Sequence, residues 1–302
     1  VNVLVVGASG FIGCHVVRAL KAAGHFVLGT SRDGSSGSLA YRLGDPFPAA
    51  VEEAELEAVI DLAWDGIPDF GSAQCAANVM AQKDFLEQVA HLGVRRLVIA
   101  GTCREYGNAV GVASGEARPV DDFGRAKNEV HGIAATNCRD AGVGLTWLRI
   151  FYAYGSGQRS GSLLPMVLED LLAGREPRVR DRTALHDFVD VGDVAAAFVE
   201  SLGSGRDHDV LDVGSGRSID VGTVVEVARR IVAGDDSSAE TYGRELDQSD
   251  QTICADVDRT KRLIGWRPTV DIEAGIRRMA GEWGLGDARL SGADRRKSGA
   301  SG

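Results

Sequence analysis

Hydrophobic positions follow two alternating rhythms through the first half of the chain. "NVLVVG" is a short β-branched run of the kind that forms a buried strand. "FIGCHVVRALKAAG" then carries apolar residues at helical spacing and stops at Gly24, and "HFVLGT" is a second strand. "AVIDLAW", "RRLVIAG" and "LTWLRIF" are further buried-type strands, separated by helical stretches around 78–92 and 124–140. This alternation predicts an α/β fold, a parallel sheet with helices on both faces.

After residue 158 the rhythm becomes irregular. "SGSLLPMVLEDLLAG" reads as a helix, "HDFVDVGDVAAAFVESL" as a short strand entering a helix, and "DVLDVGSG" as another strand. Helices and short connections follow from Asp220 to about Gly284, and the small, polar "SGADRRKSGASG" is expected to be a disordered tail. The expected division is 1–158 plus about 187–213 for the sheet domain. A smaller mixed lobe takes about 159–186 and 214–285, and 286–302 forms the tail.

Composition narrows the function classes. The net charge of −10 argues against nucleic acid or an anionic membrane surface as a partner. Cys14, Cys75, Cys103, Cys138 and Cys254 show no CxxC and no paired spacing with His, as in reduced thiols of a cytoplasmic protein with no metal site. The first strand begins by the third residue, so no secretory leader is expected. The longest apolar run, "LTWLRIFYAYG", is broken by Arg149 and too short to span a bilayer.

The sharpest local signal is "VVGASGFIG". Gly7, Gly10 and Gly13 lie between the first strand and the first helix. There the chain has to turn tightly, bring backbone N–H groups to a pyrophosphate, and let helix and strand approach closely. That context makes the sheet Rossmann-type and doubly wound. The second strand ends "GTSRD": Ser31 and Arg32 at its tip suit a ribose 2′-phosphate, with Asp33 one step beyond. NADP(H) is therefore favoured over NAD(H), the competing reading of Arg32 being a solvated loop charge.

From residue 1 to about 270 the chain resembles the extended short-chain dehydrogenase/reductase family, specifically its nucleotide-sugar enzymes. The likeness is carried in order by "GASGFIG", "GD" at Gly44–Asp45, "VIDLAW" and "ANVMAQKDFLEQVAHLGVRRLVIAGTCREYG". "LRIFYAYGSGQ", "HDFVDVGDVA", "DVGSG" and "IGWRP" complete it. The resemblance implies that Ser9, Phe11 and Ile12 join the glycines in holding the cofactor, with Asp45 at the adenine and Leu62 and Ala63 after the fourth strand. The family's usual His in that strand is Asp61 here. A cytoplasmic homodimer is the expected assembly, and the smaller lobe is expected to bind substrate.

The family's chemistry uses a Ser/Thr, a Tyr and a Lys. By resemblance Thr102 hydrogen-bonds the sugar carbonyl, and Lys127 binds the nicotinamide ribose and lowers the pKa of the partner phenol. Tyr106 is the family's structural tyrosine. The catalytic phenol itself is missing, because "DDFGRAK" places Phe123 four residues before Lys127. Phe preserves the ring and removes the proton relay, a loss of about 10²–10⁴ in rate. A substitution made to trap a complex and a natural divergence to a non-catalytic binder both fit this change.

Three reactions run on such scaffolds: 4,6-dehydration, epimerisation and 4-keto reduction of a nucleotide-linked sugar. The dehydratases carry Asp-Glu after the catalytic Thr, where this chain has Cys103 and Arg104. Epimerases generally keep NAD bound and carry an acidic residue at the second strand's tip, unlike "TSR". The resemblance thus favours NADPH-dependent reduction of a dTDP- or CDP-4-keto-6-deoxyhexose. The alternatives are a nucleotide-sugar epimerase and a non-catalytic NADP(H)-binding sensor. For substrate binding, Tyr152 stands where the family often has Asn, and His186 where it often has Arg. Arg178, Arg180, Arg182 and Arg244 are the candidate cations for the pyrophosphate. Trp64 is a candidate for either the sugar pocket or the core.

Overall fold

The computed structural model describes residues 1–113, 116–203, 209–235 and 252–285. The expected tail and Arg244 lie outside the described residues. In chain order, the first half runs β1 (Asn2–Val6), α1 (Phe11–Ala22), β2 (Phe26–Ser31), β3 (Leu39–Ala40), α2 (Ala49–Glu52) and β4 (Ala58–Asp61). It continues through α3 (Ser72–His91), β5 (Arg96–Thr102), β6 (Gly111–Val112), α4 (Asp122–Ala141) and β7 (Gly144–Ile150). Then come β8 (Tyr152–Tyr154), α5 (Leu163–Leu172), β9 (Leu185–His186), β10 (Phe188–Asp190), α6 (Val191–Leu202) and β11 (Asp209–Val213). The described chain ends with β12 (Ile219–Asp220), α7 (Val221–Ala233), β13 (Ile253–Cys254), α8 (Val257–Ile264) and α9 (Ile272–Ala280).

Seven strands form the parallel sheet in the order β11-β7-β5-β4-β1-β2-β3. The doubly wound α/β sheet expected from the sequence is therefore present. Period-two alternation splits each strand between two cores. On β1, Leu4 and Val6 face a cluster with Phe85, Leu86 and Val130 of α3 and α4, while Val3 and Val5 face one with Val16, Val194 and Phe198 of α1 and α6. Each such fully buried aliphatic side chain contributes about 1.5–3 kcal/mol, which is why strands buried on both faces read as unbroken apolar runs.

The helix expected over 78–92 begins earlier, at Ser72. Its amphipathic pattern is masked by Asn78 and Gln82, polar residues that are buried because they bond Asp65 and Asp61 across the helix–sheet interface. A third core gathers Leu164 and Leu168 of α5, Val224 and Val225 of α7, and Ile276 of α9 around Tyr154. Helix α8 instead lies on the sheet side, where Trp266 joins the core of β1 and α6 and donates its indole N–H to the Asp193 carbonyl at 2.9 Å. Strands β8 and β10 leave the carboxyl ends of the sheet in parallel, so the clefts open there.

Candidate active site

The sheet order makes β1 and β4 neighbours where the winding reverses, and the loops after them frame the first cleft. Gly7 has φ +83, a backbone state costly for any side chain. A Cβ on Gly13 would lie 2.1 Å from the Gly7 oxygen, so only glycine lets α1 start this close to β1. Gly10 is the N-cap of α1 and provides no side-chain cap, leaving the first-turn N–H groups directed at the cleft. Ser9, Ser31, Arg32, Leu62, Ala63 and Trp64 line the same cleft. Trp64 adds a buried indole N–H with no protein partner. A cradle that a Cβ would fill and an orphaned donor fit a dinucleotide. Asp33 turns aside, accepting from the Ser31 hydroxyl and the Ser35 N–H. Asp45 is exposed and lies off the lining; that stretch contributes Tyr41, Arg42 and Leu43 instead.

Phe123 and Lys127 meet at Trp64 on the wall of this cleft, with the Thr102 turn packed against the start of α4. Thr102 ends β5, and its hydroxyl oxygen accepts the Arg104 N–H at 3.3 Å while the Thr102 N–H donates to Glu105 Oε1 at 2.8 Å, a capping box over a single 3₁₀ turn. Helix α4 presses its first turn onto that turn, because a Cβ on Gly124 would stand 2.5 Å from the Arg104 oxygen. Phe123 is 9% exposed, with its ring 5.3 Å from Trp64 and 4.7 Å from Phe70 by centroid. The Arg104 guanidinium lies 5.3 Å above the same ring. One turn on, Lys127 donates to the Ala100 carbonyl at 2.9 Å and lies 4.3 Å over the Trp64 ring. Burial lowers the Lys127 pKa to about 8, against the opposing pull of Asp61 and Glu105. Burial raises that of Asp61, with the Lys127 charge pulling it back.

Beneath these groups is a hub that sequence reasoning missed. Glu105, fully buried, accepts from Thr102 N, Trp147 Nε1 and Arg149 Nε at 2.8–3.1 Å. Tyr106 donates its hydroxyl to Asp212 at 2.7 Å, and burial raises its pKa further above the ordinary phenol range. It is thereby anchored to the sheet edge.

A second cleft, of about 890 Å³, opens on the other side of Arg104. Cys103, Arg104, Asp121, Tyr152 and His186 line it. Tyr152 and His186 stack at 4.0 Å. Burial pushes the Cys103 thiol up to about 12, the Tyr152 phenol likewise to about 12, and the His186 imidazole down. Asp121 caps α4 through the Gly124 N–H and accepts from Arg104 Nε at 3.0 Å. The arginines proposed for the pyrophosphate sit elsewhere. Arg178, Arg180 and Arg182 are exposed and lie off the cleft, whose lining takes Asp181 and Thr183 from the same irregular stretch. Arg182 pairs with Glu176 at 3.6 Å instead. Among the described residues no His/Cys/Asp/Glu group can hold a metal ion, and no helix is long and apolar enough to cross a membrane.

A glycine cradle at the carboxyl edge of a parallel sheet, with a second cleft opening at Arg104, defines a Rossmann-type dinucleotide-binding scaffold. The NAD dependent epimerase/dehydratase family matches over residues 3–214, and the chain belongs to that family. It is 29% identical over 245 residues to a dTDP-6-deoxy-L-talose 4-dehydrogenase (NAD(+)) from Aggregatibacter actinomycetemcomitans, covering 74% of this chain and 88% of that protein. It is 28% identical over 311 residues to a dTDP-6-deoxy-L-talose 4-dehydrogenase (NAD(P)(+)) from Kitasatospora kifunensis, covering 92% and 94%. The fold is that of UDP-glucose 4-epimerase from Thermotoga maritima, at TM-score 0.79, 24% identity and coverage of 94% and 98%. A nucleotide-sugar-modifying enzyme using a pyridine nucleotide is the class these findings support.

The residues that sequence reasoning missed are Glu105, Asp121, Arg42 and Asp65. Asp121 carried a local signal, an Asp three residues before Gly124 at a helix start. The other three acquire their roles only from strands distant in sequence.

Proposed function

We propose that the chain is an NADPH-dependent 4-ketoreductase for a dTDP- or CDP-linked 4-keto-6-deoxyhexose, and that Phe123 leaves it without its proton donor. One observation carries the reading. At the rim of the second cleft, Arg104 is tied to Asp121 beside a buried, protonated Cys103, so the two positions after Thr102 hold no acid–base couple for water loss. Reduction needs no such couple. The two 4-dehydrogenases named above carry out the same C4 hydride exchange, named in the oxidising sense.

When bound, the reduced nicotinamide supplies the hydride. The Thr102 hydroxyl oxygen accepts the Arg104 N–H, and its O–H would donate to the sugar's C4 carbonyl and hold the developing alkoxide. Lys127, whose pKa burial lowers, would orient the ribose side of the site. The alkoxide proton is the one transfer that Phe123 cannot make. Reverting Phe123→Tyr and following NADPH oxidation with a 4-keto sugar nucleotide tests the proposal.

A second reading is favoured by how completely Phe123 is enclosed. Trp64, Phe70 and Arg104 surround its ring, as in a site settled into binding without turnover. In that NADP(H) sensor, reversion restores no activity while cofactor binding persists.

A further inference from the structure

Strands β2 and β4 flank β1, so side chains from the loops after them face each other across the adenosine end of the cofactor cleft. One carboxylate meets two guanidiniums there. Arg32 Nη1 is 2.8 Å from Asp65 Oδ1, and Arg42 Nη1 is 3.5 Å from Asp65 Oδ2. All three residues line the cleft with the glycine loop. The partners differ in freedom. The Asp65 N–H donates to Asn78 Oδ1 at 2.7 Å, and its carbonyl accepts from Asn78 and Gln74, which fixes the backbone that carries the carboxylate to α3. The arginine side chains are 70% and 62% exposed and are held at their far ends by this carboxylate.

We propose that Asp65 sets the balance between phosphorylated and unphosphorylated dinucleotide, competing with a ribose 2′-phosphate for both Arg32 and Arg42. This rests on the NADPH reading above and adds a second cation and a competing anion to it. A 2′-phosphate brings close to two negative charges and exchanges directly for the carboxylate on both guanidinium forks. A bare 2′-hydroxyl needs no such exchange and leaves the latch closed, so the cost of displacing Asp65 falls on NADPH alone. Asp65 also repels the phosphate once displaced. Its charge therefore tempers the phosphate preference that two arginines would otherwise impose, leaving a cleft that accepts both cofactors.

The test is calorimetric binding of NADPH and NADH to the full chain and to Asp65→Asn, a near-isosteric change that leaves the Asn78 and Gln74 bonds to the backbone in place. Exposed pairs of this kind are individually weak, so the NADPH-to-NADH affinity ratio is expected to rise about three- to tenfold, and to become more sensitive to salt. Arg42→Ala is expected to lower the ratio in both backgrounds. An unchanged or lower ratio in Asp65→Asn, with a native chain that still prefers NADPH, overturns the role of Asp65 and leaves the cofactor reading standing. A native chain that binds the two alike, with Arg32→Ala and Arg42→Ala leaving NADPH affinity untouched, overturns both.

Discussion

Restoring one oxygen atom, Phe123→Tyr, tests the site most directly. The ring packs against Trp64, Phe70 and Arg104, so where the added hydroxyl comes to rest sets its cost. If it is solvated or bonded there, the fold loses little. If it is forced against the two aromatic rings, burying it without a partner costs about 1–3 kcal/mol. The kinetic gain is larger: a general acid contributes about 10²–10⁴ in rate, or about 3–5 kcal/mol of transition-state stabilisation. Lys127, one turn along α4, supplies the charge that lowers the phenol's pKa, so the gain is expected to need it. Single-turnover reduction of a 4-keto-6-deoxy sugar nucleotide, followed by NADPH absorbance, should show the acceleration with cofactor affinity nearly unchanged. Adding Lys127→Met should remove most of it. A revertant as slow as the parent at equal NADPH affinity refutes the catalytic assignment of position 123. A revertant that is fast without Lys127 refutes the role given to that lysine.

Further outcomes follow from the same geometry. Neither the chain nor its Phe123→Tyr revertant should convert dTDP-glucose to a 4-keto-6-deoxy product, and detection of that product by mass spectrometry would overturn the ketoreductase reading. Glu105→Ala strands the Arg149 guanidinium in the core and should cost about 3–5 kcal/mol in urea unfolding; a loss under about 1 kcal/mol would remove Glu105 from its place as the hub. Burial pushes the Asp187 and Asp212 carboxyls up to about 6, so the fold keeps protons that the unfolded chain has lost between about pH 4 and 6. Their contribution to stability therefore falls as pH rises through that window and is flat above it. Asp212→Asn should gain on the parent by up to about 3 kcal/mol between pH 4 and 7, and a difference independent of pH would contradict this.

The parallel sheet and the glycine cradle were legible in the sequence because both are written locally. β1 is an apolar run between polar breaks, and Gly7, Gly10 and Gly13 are each required by backbone geometry within a few residues. The start of α3 was not legible, since Asn78 and Gln82 look like solvent-facing positions until their partners on the β4 loop are known. The placement of the candidate pyrophosphate arginines was not legible for a related reason. A run of alternating Arg residues advertises charge, yet 178–183 is an irregular stretch with bends, and the residues it brings to the cleft are Asp181 and Thr183.

That position 123 carries a Phe four residues before Lys127 is read from the sequence alone, and the proposed loss of a proton donor rests on that residue identity and spacing. What surrounds that position was decided only in three dimensions. Asp65 facing two arginines, Glu105 joining Trp147 and Arg149, and Arg104 resting between Phe123 and Asp121 each bring together residues 17 to 44 apart in the chain. Electrostatic pairing and burial depend on distance in space, and side-chain charge carries no information about its partner until the sheet order has set which loops adjoin.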